Sequence, residues 1–392
     1  AVLKKQRLTV SMQWHLRDSY WILVLAVLCC LEMSTPHSHY DEYTNRWIRE
    51  IEEAERNYRS CDINNCTCFQ SQIENDLSPF QNGIDESMLL AASAHGVRYQ
   101  LIGGRLFRQP QCPFEARCEG VEYFLVHLAD SLPNTEFVLN VHDHPQMRSD
   151  DSPLPVFSFS KDMNHIDILY PAWSFWSGGP AISLYPTGIG RWNETSMKIT
   201  KAAKRIEWAH RKPIAFFRGS RTNTLRDRLI LLSRRLPNLI DAKYTKNQAW
   251  RSVKDTLGEQ PASELSFEDH CSYKYLFNFA GVAASFRLRH LLLCGSPVFN
   301  VGHQWIEFFY GALYPWIHFV EVAEEMNNVE ELLRFAHEHD DIMHRIGTRG
   351  RAFVESHLRM EDVLCYWRQL LTQYSRLITY RIRRVPSFKR II

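Results

Sequence analysis

The segment Ile214-Ala-Phe-Phe-Arg-Gly-Ser-Arg-Thr-Asn-Thr-Leu-Arg-Asp227 constrains this chain more than any other. Its four leading apolar residues read as a short buried strand, and Gly219 permits a tight turn after it. Ser220, Thr222 and Asn223 are each able to cap the amphipathic run Leu225-Arg-Asp-Arg-Leu-Ile-Leu-Leu232, which has helical spacing. A strand feeding a polar turn and then a helix directs free backbone N–H groups and a positive dipole end at one point. Arg218, Arg221 and Arg226 crowd that point with guanidinium forks that match phosphate oxygens. Two readings stand side by side: an anion site suited to a nucleotide diphosphate, and a plain strand–helix turn with solvated arginines.

Short apolar strands alternate with helical stretches through much of the chain. Residues 40–60, 84–94 and 121–131 read as helices, and Gly96 onward and Gly104 onward as a strand pair. Residues 135–141, 155–160, 214–217 and 297–300 read as strands, and 328–339 and 361–381 as helices. This alternation predicts an α/β fold with mostly parallel strands, in two layers facing a cleft with ligands at the strands' carboxyl ends. At 392 residues the chain exceeds one small core. The expected division is 1–38 (extension and signal), 39–197, 198–380 and a frayed basic tail over 381–392. A net charge of +2 excludes a strong electrostatic footprint for nucleic acid.

Residues 20–31 form an uncharged, mostly apolar run, too short to span a bilayer comfortably and fit for a secretory h-region. Met12 is read as the start, with cleavage near residues 34–38; an uncut signal anchor is the other reading, and no other segment is apolar enough to span. Of 10 Cys, Cys29 and Cys30 lie in that run, leaving an even eight for an oxidising compartment. Cys112 and Cys118 bracket a short Pro-containing loop and are natural partners. The Cys61/Cys66/Cys68 cluster lacks a second Cys/His pair for zinc. Asn65-Cys-Thr and Asn193-Glu-Thr are glycosylation sequons.

Three further stretches carry chemistry. Asp143, within Asn140-Val-His-Asp-His-Pro-Gln146, follows a strand directly, where an α/β enzyme places a base; a turn-forming Asp is the alternative. His142, Asp143 and His144 cannot all reach one ion from an extended chain. The aromatic, Gly/Pro-rich residues 170–192 offer faces for a sugar or peptide groove, or pins to the core. Residues 278–289 open a second helix start with Arg287 and Arg289 in its first turns, either complementing the first anion point or packing tightly with Arg289 solvated. No Gly-x-x-x-x-Gly-Lys-Ser/Thr loop, Gly-x-Ser-x-Gly elbow or strand-end Asp-x-Asp pair occurs, which points to a metal-free nucleotide site.

The motifs N-V-H-D-H-P-Q, P-V-F-S-F-S-K, Y-P-A-W-S-F-W, Y-P-T-G-I-G-R-W, F-F-R-G-S-R-T, Y-T-K-N-Q-A-W and G-V-A-A-S-F-R occur in an order that closely resembles the protein O-glucosyltransferases of the Rumi (CAP10-like) family, glycosyltransferase family 90. The resemblance runs from about Cys61 to Trp367, without a filamin-like N-terminal domain. It implies a GT-B-like fold with two Rossmann-like domains. The implied activity is an inverting, metal-independent transfer of glucose from UDP-glucose, or xylose from UDP-xylose, to Ser in Cys-x-Ser-x-Pro/Ala-Cys of EGF-like repeats such as those of Notch. Competing readings are a xylosyltransferase on protein or polysaccharide and a non-catalytic lumenal binding protein.

By the same resemblance Asp143 is the catalytic base. Tyr185, Ser220, Arg226, Val282, Ala283, Ala284, Ser285, Phe286 and Arg287 are the UDP-sugar contacts, with Arg226 and Arg287 neutralising the leaving diphosphate. Pro113, Phe114, Glu115, Ala116, Arg117, Ala181, Ile182, Ser183, Leu184, Pro186 and Gln248 match acceptor-binding positions. The implied disulfides are Cys61–Cys68, Cys66–Cys365, Cys112–Cys118 and Cys271–Cys294, and the implied location is the lumen of the endoplasmic reticulum. Two departures stand out: the chain ends Ser-Phe-Lys-Arg-Ile-Ile without a KDEL-like signal, leaving secretion open, and His142 and His144 flank the base where the family often has Arg and Tyr.

Overall fold

Gly103 and Gly104 adopt φ of 57° and 71° and fold Val97–Ile102 (β1) back onto Arg105–Arg108 (β2) as an antiparallel pair. Two consecutive left-handed positions are the geometry of a tight hairpin, which glycine enters without a Cβ penalty. The structure, a computed structural model, describes residues 36–62, 66–177, 179, 184–185, 188–247 and 250–392. Residues 1–35, most of the expected extension and signal over 1–38, and Asn65 of the first expected sequon therefore lie outside the described residues. One unit ends at Glu53 and contains most of the helix Pro36–Asn57, where Arg46 and Glu50 pair one turn apart. The other, Ala54–Ile392, holds both sheets.

In the first sheet β1 also pairs antiparallel with Thr135–Leu139 (β3), which continues parallel to Val156–Ser158 (β4) and Ile168–Leu169 (β5). All five residues of β3 are buried, so it has no solvated face; Phe137, Val138 and Leu139 are apolar core, and the buried Glu136 carboxylate is held by Arg98 at 2.5 Å and accepts from the Gln100 amide at 2.9 Å. The helix Glu115–Leu128 covers this layer with Val121, Phe124, Leu125 and Leu128, spaced three or four apart on one face.

The second sheet comprises Lys212–Gly219 (β6), Ile240–Tyr244 (β7), Tyr273–Phe279 (β8), Val298–Val301 (β9) and Val320–Val322 (β10). Every pairing in it is parallel, in the order β10-β9-β8-β6-β7. The chain leaves β6 toward one edge and returns at β8 toward the other. The switch point therefore falls between these two strands, and a crevice opens at their carboxyl ends. The helix Leu225–Arg235 joins β6 to β7; Leu229, Ile230 and Ser233 face the sheet, Asp227 sits in its first turn and Arg234 and Arg235 in its last, as the helix dipole favours.

Three expectations are corrected. Residues 278 and 279 end strand β8, and the helix that follows is only Arg287–Leu292, because the small residues between form an irregular loop. The last helix, Met360–Ser375, lies on the first sheet and not on the second layer: Tyr374 meets Phe157 at 4.9 Å and the Tyr366 hydroxyl donates to the Leu169 carbonyl at 3.1 Å. The basic tail is not frayed either. Lys389–Arg390 (β11) pairs with β2, and Gln100 bonds the backbone of Arg383 and Val385 through its side-chain amide.

Candidate active site

The crevice at the switch point opens into a cleft of about 460 Å³ lined by residues that follow both sheets, among them Asp143, Ser220, Arg226 and Arg287. On the second-sheet side, Arg226 is 4% exposed and bridges the two strand-end loops. One of its amino groups donates to the Ser220 carbonyl at 2.6 Å and the other to the Ala280 carbonyl at 2.8 Å. Arg287 donates to the Arg218 carbonyl and, at 3.3 Å, to Nε2 of His270. A Cβ on Gly219 would lie 2.6 Å from the Arg287 Nη1, so a side chain there would push this guanidinium from its place.

Neither arginine has a carboxylate partner among the described residues, and the Nε of each is buried without a hydrogen bond. Burial lowers Arg226 to about 10, and burial followed by repulsion from Arg226 lowers Arg287 to about 9. Both stay cationic at neutral pH. Two desolvated, unneutralised cations at the carboxyl ends of parallel strands form a strong anion site. Arg218 and Arg221, by contrast, are consumed in the scaffold: Arg218 grips Asp241 at 2.7 and 2.8 Å, and Arg221 grips Asp227 at 2.8 and 2.5 Å. None of the three expected residues is the helix cap: the N-cap is Thr224, which makes no side-chain cap bond, and Asn223 just before it accepts from the Leu225 N–H at 2.9 Å as a local turn contact.

The loop after β8 completes this wall. Ala283, Ala284 and Ser285 are buried, Val282 is 48% exposed, and the Ser285 hydroxyl accepts from the Arg287 N–H at 3.3 Å. Phe286 packs on Phe159 at 5.0 Å and on Trp173 at 5.9 Å, closing the cleft floor between the sheets. Tyr185 is half-buried, and its hydroxyl accepts from the Phe267 N–H at 3.2 Å. Of the aromatic side chains singled out in 170–192, only Trp173 and Tyr185 line the cleft. Tyr170, Phe175 and Trp192 are core, and Trp176 stacks on Tyr123. Arg289, expected in solvent if not in the site, is 1% exposed and lies 3.6 Å from Glu307.

Opposite this wall, Asp143 follows β3 on a braced loop. The Asn140 amide donates to the His144 carbonyl at 2.7 Å and to Ser158 at 2.9 Å, and its oxygen accepts from the His142 N–H at 2.8 Å. Asp167 accepts from Ser158 and from the Gln146 and Met147 N–H groups, fixing the far end of the loop. Asp143 itself is 44% exposed, with Arg117 3.1 Å from Oδ1. Arg117 lies 4.4 Å from the ring centroids of both Phe114 and Trp173. This arrangement presents an aimed, solvent-reachable carboxylate to whatever enters the cleft.

Glycosyl transferase family 90 has a sequence profile that matches residues 61–392. The chain belongs to that family. It is 48% identical to an O-glucosyltransferase rumi homolog of Aedes aegypti over 387 residues, 97% of this chain and 96% of that one. It is 46% identical to Protein O-glucosyltransferase 1 of Mus musculus over 379 residues, 95% of each chain. It is 47% identical to the Homo sapiens protein of that name over 358 residues, 90% of this chain and 91% of that one.

For this glycosyltransferase, the remaining expected positions divide in two. Pro113, Phe114, Glu115 and Ala116 form an exposed rim that the Cys112–Cys118 disulfide closes; Phe114 meets the His142 ring edge-on at 5.3 Å, while the Glu115 carboxylate is held by Arg108. Leu184 is 45% exposed near Tyr185. Ala181, Ile182, Ser183, Pro186 and Gln248 lie outside the described residues. Cys61–Cys68 and Cys271–Cys294 are also bonded; Cys365 is disulfide-bonded, and the side chain of its expected partner Cys66 lies outside the described ones. Among the described residues no group of three or more His, Cys, Asp or Glu is gathered as for a metal ion, and no helix is long and apolar enough to cross a membrane. Sequence reasoning missed His270 and Phe159: one ends a four-residue helix and the other follows a short strand, and neither carries a local signal.

Proposed function

We propose that this protein transfers glucose from UDP-glucose to a Ser hydroxyl in the Cys-x-Ser-x-Pro/Ala-Cys sequence of folded EGF-like repeats, with inversion. The observation that carries the reading is the facing pair of features in one cleft: the strand-end carboxylate Asp143 on one wall, and the unneutralised cations Arg226 and Arg287 on the other. The names of its relatives and the resemblance of its motifs supply the sugar and the acceptor.

In this reaction the Ser Oγ attacks the anomeric carbon from the face opposite the phosphate, and Asp143 takes the hydroxyl proton. As the new C–O bond forms, the bond from the anomeric carbon to the β-phosphate oxygen breaks, and UDP leaves with the electron pair. Charge accumulates on the diphosphate during this step, and Arg226 and Arg287 meet it from a desolvated, fixed setting. Ser220 and residues 282–286 frame the nucleotide, and Tyr185 and Phe286 confine the sugar. Phe114, Arg117 and the rim around Cys112–Cys118 receive the acceptor. The disulfides support work in an oxidising compartment, the lumen of the secretory pathway.

Incubation with UDP-glucose and a purified EGF-like repeat should add one hexose to the consensus Ser, read by mass spectrometry of the peptide. Failure to modify a folded repeat would sink the proposal. Transfer of a pentose in preference to hexose, with both UDP sugars offered, would move the donor to UDP-xylose.

A further inference from the structure

We infer that His270 is a positioning residue that aims the Arg287 guanidinium at the leaving diphosphate without neutralising it. The inference rests on the donor reading above. His270 is 3% exposed, and its Nδ1 lies 2.7 Å from the Ser266 carbonyl oxygen. A carbonyl only accepts, so Nδ1 carries the proton and donates. Nε2 is then left with its lone pair, and the Arg287 Nη2 donates to it at 3.3 Å. The ring has little freedom, since Phe216 meets it edge-on at 5.1 Å and Phe267 lies 5.7 Å away.

The choice of partner matters because of what the neighbouring arginines show. Arg218 and Arg221 are fixed by carboxylates, and their charge is spent within the protein. Arg287 is fixed by a carbonyl oxygen and a neutral ring nitrogen, so its geometry is set while its full charge faces the cleft. The ring stays neutral across the working range, because burial and then the charge of Arg287 press His270 down to about 3. A carboxylate at this place would make a third structural pair, and an aliphatic side chain would leave the fork unaimed. The disulfide between Cys271, next to His270, and Cys294 fixes the two supporting elements relative to each other.

The test uses the full chain with UDP and uridine as probes. His270→Phe keeps a flat ring among Phe216 and Phe267 but removes the acceptor, and His270→Gln places an amide oxygen near the lost Nε2. His270→Phe should weaken UDP binding about tenfold while uridine affinity is unchanged, and His270→Gln should return UDP affinity to within about twofold of the parent. UDP affinity unchanged in His270→Phe would overturn the inference. So would a parallel loss for UDP and uridine, which marks a packing role. A parent protein that binds uridine no worse than UDP removes the diphosphate reading itself, and this inference with it.

Discussion

The guanidinium of Arg117 holds two parts of one loop at once: Nη1 donates to the Val141 carbonyl at 2.6 Å, and Nη2 lies 3.1 Å from Oδ1 of Asp143. The position of this carboxylate is therefore tied to a backbone contact two residues earlier, while the side chain stays 44% exposed to the cleft.

Asp143→Asn keeps the shape of that side chain and removes its basicity. Transfer to the acceptor should fall about 10²–10⁴-fold, while UDP affinity by calorimetry stays near the parent value. Retained turnover would exclude Asp143 as the base.

Arg226 bridges the Ser220 and Ala280 carbonyls and carries a charge to the diphosphate. Arg226→Gln should lower the transfer rate about 10²–10³-fold. Arg226→Lys should recover little, because a single ammonium cannot span two carbonyls as a fork does. Steady-state kinetics with both variants, beside thermal melts to check folding, decide this; full recovery by lysine would reduce Arg226 to a point charge.

UDP affinity should also depend on alkaline pH. Arg287 is lowered to about 9 by burial and by Arg226. Below that value it is a cation and binds the diphosphate; as pH rises through it, the proton is lost and affinity falls. A titration of UDP binding across this window that stays flat would show that Arg287 keeps its proton or makes no contact.

Acid should destabilise the fold through buried histidines. Burial holds His270 at about 3 and His318 at about 4, against 6.5 for an unperturbed side chain. Their folded-state values are depressed, so the unfolded chain takes up protons first. Stability is complete above 6.5 and declines as pH falls from there toward the folded values. The melting temperature should drop over that range, and His318→Gln should flatten the slope; equal slopes in parent and variant would assign the loss elsewhere.

How far the sequence reaches depends on whether the signal is local. The strands β1, β3, β4, β6 and β9 are readable because short apolar or alternating stretches between Gly, Pro and polar residues leave few alternatives. Strand β8 is absent from the sequence reading, and its last two residues are taken there into a helix start, because Ala280 to Ser285 have the small side chains of one and only the surrounding sheet decides between loop and helix. The arginines show the same limit. Nothing in the run around Gly219 says that Arg218 will find Asp241, which strand pairing brings alongside, or that Arg226 will find no carboxylate. Asp143 was legible from its place after a strand, whereas His270 owes its role to Arg287, 17 residues away. The tail looked frayed from its basic residues, yet the free edge of β2 gives it a partner.

The Cys271–Cys294 bond closes a ring of the chain around β8, the loop that carries Ala280 and Val282, and the helix that Arg287 begins. A protease that cut this loop would therefore not release a fragment. Both halves would remain joined through the cystine, and the nick would become visible as two pieces only after reduction.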